Sequence, residues 1–193
     1  YGSRASNGVI IITTKKGKRG KPQFSFSTST AVQTPANKVD VLTGDEVRAY
    51  VRANGNASQI ARLGTANTDW QDEIYQNALS SDNNISVAGS AGKMPYRASF
   101  GYMNQDGILK TDNMERYTGS INLSPKFFNN HLSIDLNLKA TQSAFQFADQ
   151  GAIGAAIAFD PTQPIYSGKS DYGGFFEWLD PSTSRPNQLA TRN

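Results

Sequence analysis

The sequence has 193 residues, a formal net charge of +3, one histidine and no cysteine. Disulfide scaffolds, Cys-zinc sites, redox CxxC pairs and thiol nucleophiles are therefore excluded, and a Ser-His-Asp triad would have to use His131. Only 18% of the residues are charged, against about 25% in typical soluble domains. No apolar run of about 18 residues is present, so no membrane-spanning helix is expected; a β-barrel, whose strands alternate, stays open.

The chain starts at Tyr1 with no initiator Met and no leader, and is expected to be a piece of something longer. Residues 8–14 (Gly-Val-Ile-Ile-Ile-Thr-Thr) are continuous and β-branched, which predicts a strand covered on both faces. Arg4, Lys15, Lys16, Lys18, Arg19 and Lys21 precede the first acid, Asp40, and the remainder is slightly acidic. This basic start reads as a solvated connector. A nucleic-acid arm would need a second phosphate-tracking stripe, and none is present.

Strict alternation follows. In 23–32, Phe24, Phe26, Thr28, Thr30 and Val32 share one face, opposite Gln23, Ser25, Ser27 and Ser29. The pattern returns in 84–90, 96–104, 116–124 and 131–141, always with an apolar face against a face of hydroxyls, amides and a few charges. A soluble sandwich turns the apolar face inward. A membrane barrel turns it to lipid. Alternation fits both.

The connections run long (33–83), short (91–95), medium (105–115), short (125–130) and long (145 onward), the rhythm expected of an outer-membrane barrel. In the first, Thr43-Gly-Asp-Glu46 is a capping box that predicts a helix over 44–53. Thr68-Asp-Trp-Gln71 reads as a second cap, with Trp70, Ile74 and Tyr75 near one helical face. The last connection opens with a small-residue helix over 151–158, stopped by Asp160-Pro161.

The sequence carries no catalytic or cofactor motif. His131 stands alone in an alternating strand and reads as solvated or lumen-facing, so no metal is expected. Gly168-Lys169-Ser170 lacks the glycine a phosphate loop needs five residues earlier, where Gln163 stands. Asp69, Asp72 and Glu73 fit a helix N-terminus better than a glycosidase pair. Tyr166, Tyr172, Phe175, Phe176 and Trp178 cluster in a Gly-rich stretch and are candidate ligand-binding aromatics, although packing against another part of a larger protein, or an interface, is the favoured explanation.

The opening Tyr1-Gly-Ser-Arg-Ala-Ser-Asn-Gly8, continued through Val9 to Lys18, resembles the end of the plug domain of TonB-dependent outer-membrane transporters, nearest the SusC/RagA-type nutrient importers. Further likenesses follow in order. They are Thr68-Asp-Trp-Gln-Asp-Glu-Ile74, Asn84-Ile-Ser-Val-Ala-Gly89, Tyr96-Arg-Ala-Ser-Phe-Gly-Tyr102, Gln105-Asp-Gly-Ile-Leu-Lys110, Glu115-Arg-Tyr-Thr118 and Pro161-Thr-Gln-Pro-Ile-Tyr166. The resemblance implies an all-β partial transmembrane antiparallel barrel of about five strands, preceded by the last plug strand, out of a plugged barrel of about 22. Residues 1–20 would be plug end and linker, and 21–193 the N-terminal part of the barrel.

By the same resemblance, Tyr1, Gly2, Arg4, Asn7, Gly8, Trp70, Gly107, Arg116 and Tyr117 are structural motif positions. Arg97, Arg116, Asp135 and Lys139 would line the lumen. It further implies active import of glycans or peptides across a Gram-negative outer membrane, in contact with its lipids. The partners would be a SusD-type surface lipoprotein and TonB, the latter reached through segments absent here. Neither enzymatic activity nor a cofactor is implied. The competing expectations are a soluble carbohydrate-binding sandwich, with Phe24, Phe100, Ile121 and Ile134 in one closed core, and a passive porin or adhesin barrel.

Overall fold

The computed structural model describes residues 15, 17, 20–168 and 171–177. The expected plug strand over 8–14 and the motif residues Tyr1, Gly2, Arg4, Asn7 and Gly8 lie outside them. Among the described residues there are seven strands: β1 (Gln23–Gln33), β2 (Ala78–Ala91), β3 (Met94–Asp106), β4 (Asn113–Leu123), β5 (Lys126–Phe127), β6 (Leu132–Ser133) and β7 (Leu136–Gln146). The described parts of the long connections hold the α-helices α1 (Gly44–Asn54), α2 (Ala57–Ala61), α3 (Trp70–Ile74) and α4 (Gly151–Ala158). The main sheet is an antiparallel five-stranded meander, β1-β2-β3-β4-β7, each strand beside its neighbour in that order. β5 and β6 form a separate small hairpin.

The alternating segments all lie in strands, but their bounds differ from the expectation. β2 begins at Ala78, six residues before 84, because the polar run Ser80-Ser-Asp-Asn83 pairs as strand although its side chains carry no apolar alternation. The single strand expected over 131–141 is two. Leu132 and Ser133 turn back to pair with Phe127 and Lys126, and only from Leu136 does the chain join the main sheet. The break is a backbone event: Phe128, Asn129 and Asn130 all have positive φ (47°, 54° and 72°). Asn tolerates that region and Phe does not. The unbroken run Leu132, Ile134, Leu136, Leu138 conceals the break.

The described chain divides into two compact units. One comprises the strand segments 82–103 and 116–143 with residues up to 29; the other comprises 30–81, 104–115 and 144 onward.

In the first unit the two sheet faces differ sharply. Phe24 (76% exposed), Leu138 (58%), Phe100, Ile85 and Ile121 stand bare on one. The closed core that a sandwich requires is therefore absent: Phe24, Phe100, Ile121 and Ile134 are all exposed, and no described strand covers them. Small side chains at Ala98, Gly119 and Ala140 leave a hollow of about 660 Å³ among the large ones. The other face is stitched by polar pairs. Arg97 donates to Ser86 at 2.9 Å, Ser99 and Ser120 share a bond at 2.6 Å, and Ser124 donates to Asp135 at 2.7 Å. Asn122 donates to Asn137 beside them.

The second unit has the apolar core. Trp70, Ile74, Leu109, Ala152, Ala156 and Phe159 are buried together, with Trp70 meeting Phe159 edge-on at 4.7 Å. α1 starts one residue after Thr43, and the capping box with Glu46 forms as the sequence predicts. The second cap is shifted. Asp69, not Thr68, accepts the amides of Gln71 and Asp72, while the Thr68 hydroxyl donates to the Gln163 carbonyl at 2.7 Å. α2 is an additional helix, opened by a capping box of Asn56 and Gln59.

Candidate functional site

The two long connections hold each other through a polar clasp. Pro161-Thr-Gln-Pro164 follows α4, whose continuation Pro161 prevents. Thr162 is fully buried, and Gln163 is nearly so. The Thr162 hydroxyl accepts the Gly64 amide (2.9 Å), and its carbonyl accepts the Ala66 amide (3.0 Å). Gln163 donates to the Arg62 carbonyl (2.9 Å). Trp70 closes the other side by donating its indole N–H to the Asp160 carbonyl (3.0 Å). Buried polar groups are tolerated because they are paired. Gly64 is required by crowding: a Cβ there would lie 2.0 Å from the Thr162 carbonyl oxygen.

Electrostatics sharpen one corner. Lys38 bridges Asp69 and Asp72. The hydrogen bond that Lys38 donates to the Asp72 carboxylate raises the Lys38 pKa, against an opposing desolvation. At Asp69, desolvation pushes upward, but the Lys38 bond and charge and the Asp72 and Gln71 amides outweigh it and hold the carboxyl below its ordinary 3.8. A depressed carboxylate gives stability that is present above the unfolded value and lost as pH falls through the folded one. Protection of the Gln71 and Asp72 amides is therefore expected to hold down to about pH 4 and fall below it. Asp69→Asn keeps a good cap and should flatten that dependence; hydrogen exchange corrected for intrinsic rates reads both.

The expected site residues separate into three groups. Tyr166 stacks on Phe175 at 5.2 Å and is well exposed. Phe175 and Phe176 lean on the apolar core, so packing takes up much of their surface. Trp178 and the side chain of Tyr172 lie outside the described residues. Arg97 is engaged on the polar sheet face, Asp135 accepts from Ser124 just before β7 begins, and Lys139 is placed on the polar face by alternation and is exposed. Arg116 donates to the Met103 sulfur at 3.0 Å. Of the motif positions, Trp70 is core, and Tyr117 meets Tyr102 at 4.9 Å. Gly107 sits where a Cβ would strike the Asp112 carboxylate at 2.5 Å. Among the described residues no group of three His, Cys, Asp or Glu is placed to hold a metal.

No family model matches the chain. Across its whole length it is 46% identical to the TonB-dependent receptor SusC of Bacteroides thetaiotaomicron. The chain belongs to the TonB-dependent receptor family, on the SusC side. It is also 33% identical over its full length to TonB-dependent receptor P3 of Formosa agariphila. In both cases this receptor chain covers 20% of the relative, so it spans about a fifth of their length. Among solved structures it is similar to the RagAB peptide importer in its open-open state, at 25% identity and a TM-score of 0.60, covering 77% of this chain and 20% of that one. The closed-closed state of the same importer gives 26% and 0.60. The sheet is thus a partial receptor barrel wall, and the bare apolar face is what such a wall carries outward.

The residues missed by sequence reasoning are those of the clasp. Pro161-Thr-Gln-Pro could be recognised as a likeness to a family, but nothing in its composition says that Thr162 and Gln163 are buried. Apart from the Thr68 hydroxyl and the neighbouring Asp160 carboxylate, their partners are backbone groups of Arg62, Gly64 and Ala66, and backbone leaves no sequence signal.

Proposed function

We propose that this chain is part of an outer-membrane active transporter that imports glycans or peptides, with residues 1–20 ending the plug and 21–193 beginning the barrel. The observation that carries the reading is the full-length identity to SusC, together with a sheet bare and apolar on one face and polar on the other. On this reading Arg97, Arg116, Asp135 and Lys139 line the lumen, and Tyr166, Tyr172, Phe175, Phe176 and Trp178 belong to an external vestibule. A SusD-type surface lipoprotein covers that vestibule, and TonB supplies energy through segments outside this chain. The protein acts by binding and passage, without catalysis.

The test uses the intact receptor in its own outer membrane. Uptake of labelled oligosaccharides and peptides is expected to stop when the proton gradient is collapsed or TonB is removed, and the receptor is expected to co-purify with a surface lipoprotein. Uptake that persists without TonB would make the protein a passive pore and sink the proposal.

A further inference from the structure

One aromatic pair contradicts the face pattern of its strand. On β7 the odd positions are Asn137, Lys139, Thr141 and Ser143, all polar, and then Phe145, with Phe147 in the same parity one residue past the strand's end. Alternation puts the two rings on the polar face. Neighbouring strands agree, because the hollow they line (about 340 Å³) also takes Gln33, Gln105 and Met114. Each of these occupies the polar-face position of its own strand: Gln33 follows Gln23 to Ser29 in parity, Gln105 follows Arg97 and Ser99, and Met114 precedes Arg116 and Ser120. The pair is therefore not part of an interfacial aromatic girdle, which sits on the lipid side.

The rings are parallel within 1°, 5.8 Å apart at their centroids, and exposed to 56% and 82%. Two bare phenyl groups on a polar wall cost free energy unless something covers them. The rim points to the chemistry of the cover. It offers the amides of Gln33 and Gln105, which no hydrogen bond engages among the described residues, and the carboxylates of Asp106 and Asp112. No lysine or arginine lines it.

We propose that Phe145 and Phe147, with Gln33 and Gln105, form a subsite that stacks the rings of a neutral saccharide. A sugar presents a C–H face to an aromatic ring and hydroxyls, each both donor and acceptor, at its edge. Amides and carboxylates match those hydroxyls. A peptide's terminal carboxylate would find no cation here. The proposal rests on the import reading above and places a contact within it.

The test complements a strain lacking the receptor gene with full-length wild type, Phe145→Ala/Phe147→Ala, Phe145→Trp/Phe147→Trp and Gln33→Ala/Gln105→Ala. The probes are a pooled hydrolysate of neutral polysaccharides and a tryptic digest of casein, each at limiting and at saturating concentration. Receptor amount in the outer membrane is measured for every strain. Expected is saccharide uptake by wild type, lowered at least about tenfold by the Ala pair at limiting concentration but little at saturation. The Trp pair should be retained and the Gln pair lowered. Wild type that takes up neither probe would overturn the import reading itself. Saccharide uptake unchanged by the Ala and Gln pairs would overturn only the subsite. Peptide uptake that the Ala pair lowers would overturn the saccharide assignment. Loss of the Ala-pair receptor from the membrane, with full uptake by the Gln pair, would show that the rings pack against protein.

Discussion

Leu138→Arg in the intact receptor is expected to destabilise the barrel by up to about 2–4 kcal/mol, the cost of an arginine on the lipid face, which is greatest at the bilayer midplane. Leu138 is 58% exposed on the bare apolar face. Thr141→Arg, three residues along the same strand, should cost under about 1 kcal/mol, because it enters the face that already holds Lys139. The comparison keeps the introduced residue and the strand constant and changes the face it enters. Denaturant unfolding of receptor folded into lipid vesicles measures it, and equal tolerance of the two would mean that Leu138 does not meet lipid.

The second large effect concerns the clasp. Gly64→Ala puts a methyl 2.0 Å from the Thr162 carbonyl oxygen and 2.8 Å from its carbon. Both are backbone atoms, so no side chain can swing away. Overpacking and the loss of the Gly64 and Ala66 hydrogen bonds together should cost about 3 kcal/mol locally, speeding exchange of the Ala66 and Thr68 amides roughly a hundredfold. Gly154→Ala is the control from the same unit. Nothing lies within 4 Å of a Cβ at Gly154, and an alanine inside α4 should stabilise that helix by up to about 1 kcal/mol. If Gly64→Ala left those amides protected, the clasp would not hold the two connections together.

These cases mark what sequence could reveal. The strands were legible because alternation is a property of single residues. The Thr43 box was legible because a cap is local; the Asn56-x-x-Gln59 box has the same spacing, but no apolar run follows it to mark a helix. The split of 131–141 was not legible. Leu132, Ile134, Leu136 and Leu138 keep the period across it, and the turn is made by backbone angles at Phe128 to Asn130. The candidate site divides similarly. Phe175 and Phe176 looked like free aromatics in a Gly-rich loop, yet the core they lean on comes partly from α3, a hundred residues earlier. Phe145 and Phe147 escaped notice because they lie just past the alternating segment, where only the parity of the strand reveals their side.

The clasp also sets an order of events during folding. Gly64 and Thr162 are 98 residues apart in sequence, and closing so long a segment as free chain would cost several kcal/mol of entropy before any bond rewarded it. The hairpins between them are cheaper, since β2 and β3 are joined by a two-residue turn. Zipping the meander shortens the effective loop, so the clasp forms late, after β2, β3, β4 and β7 have paired. The two capped helices α1 and α2 need no such wait. A receptor stalled in assembly should thus carry undocked connections, whose Gly64 and Ala66 amides, the donors to Thr162, exchange freely while the strands are already protected.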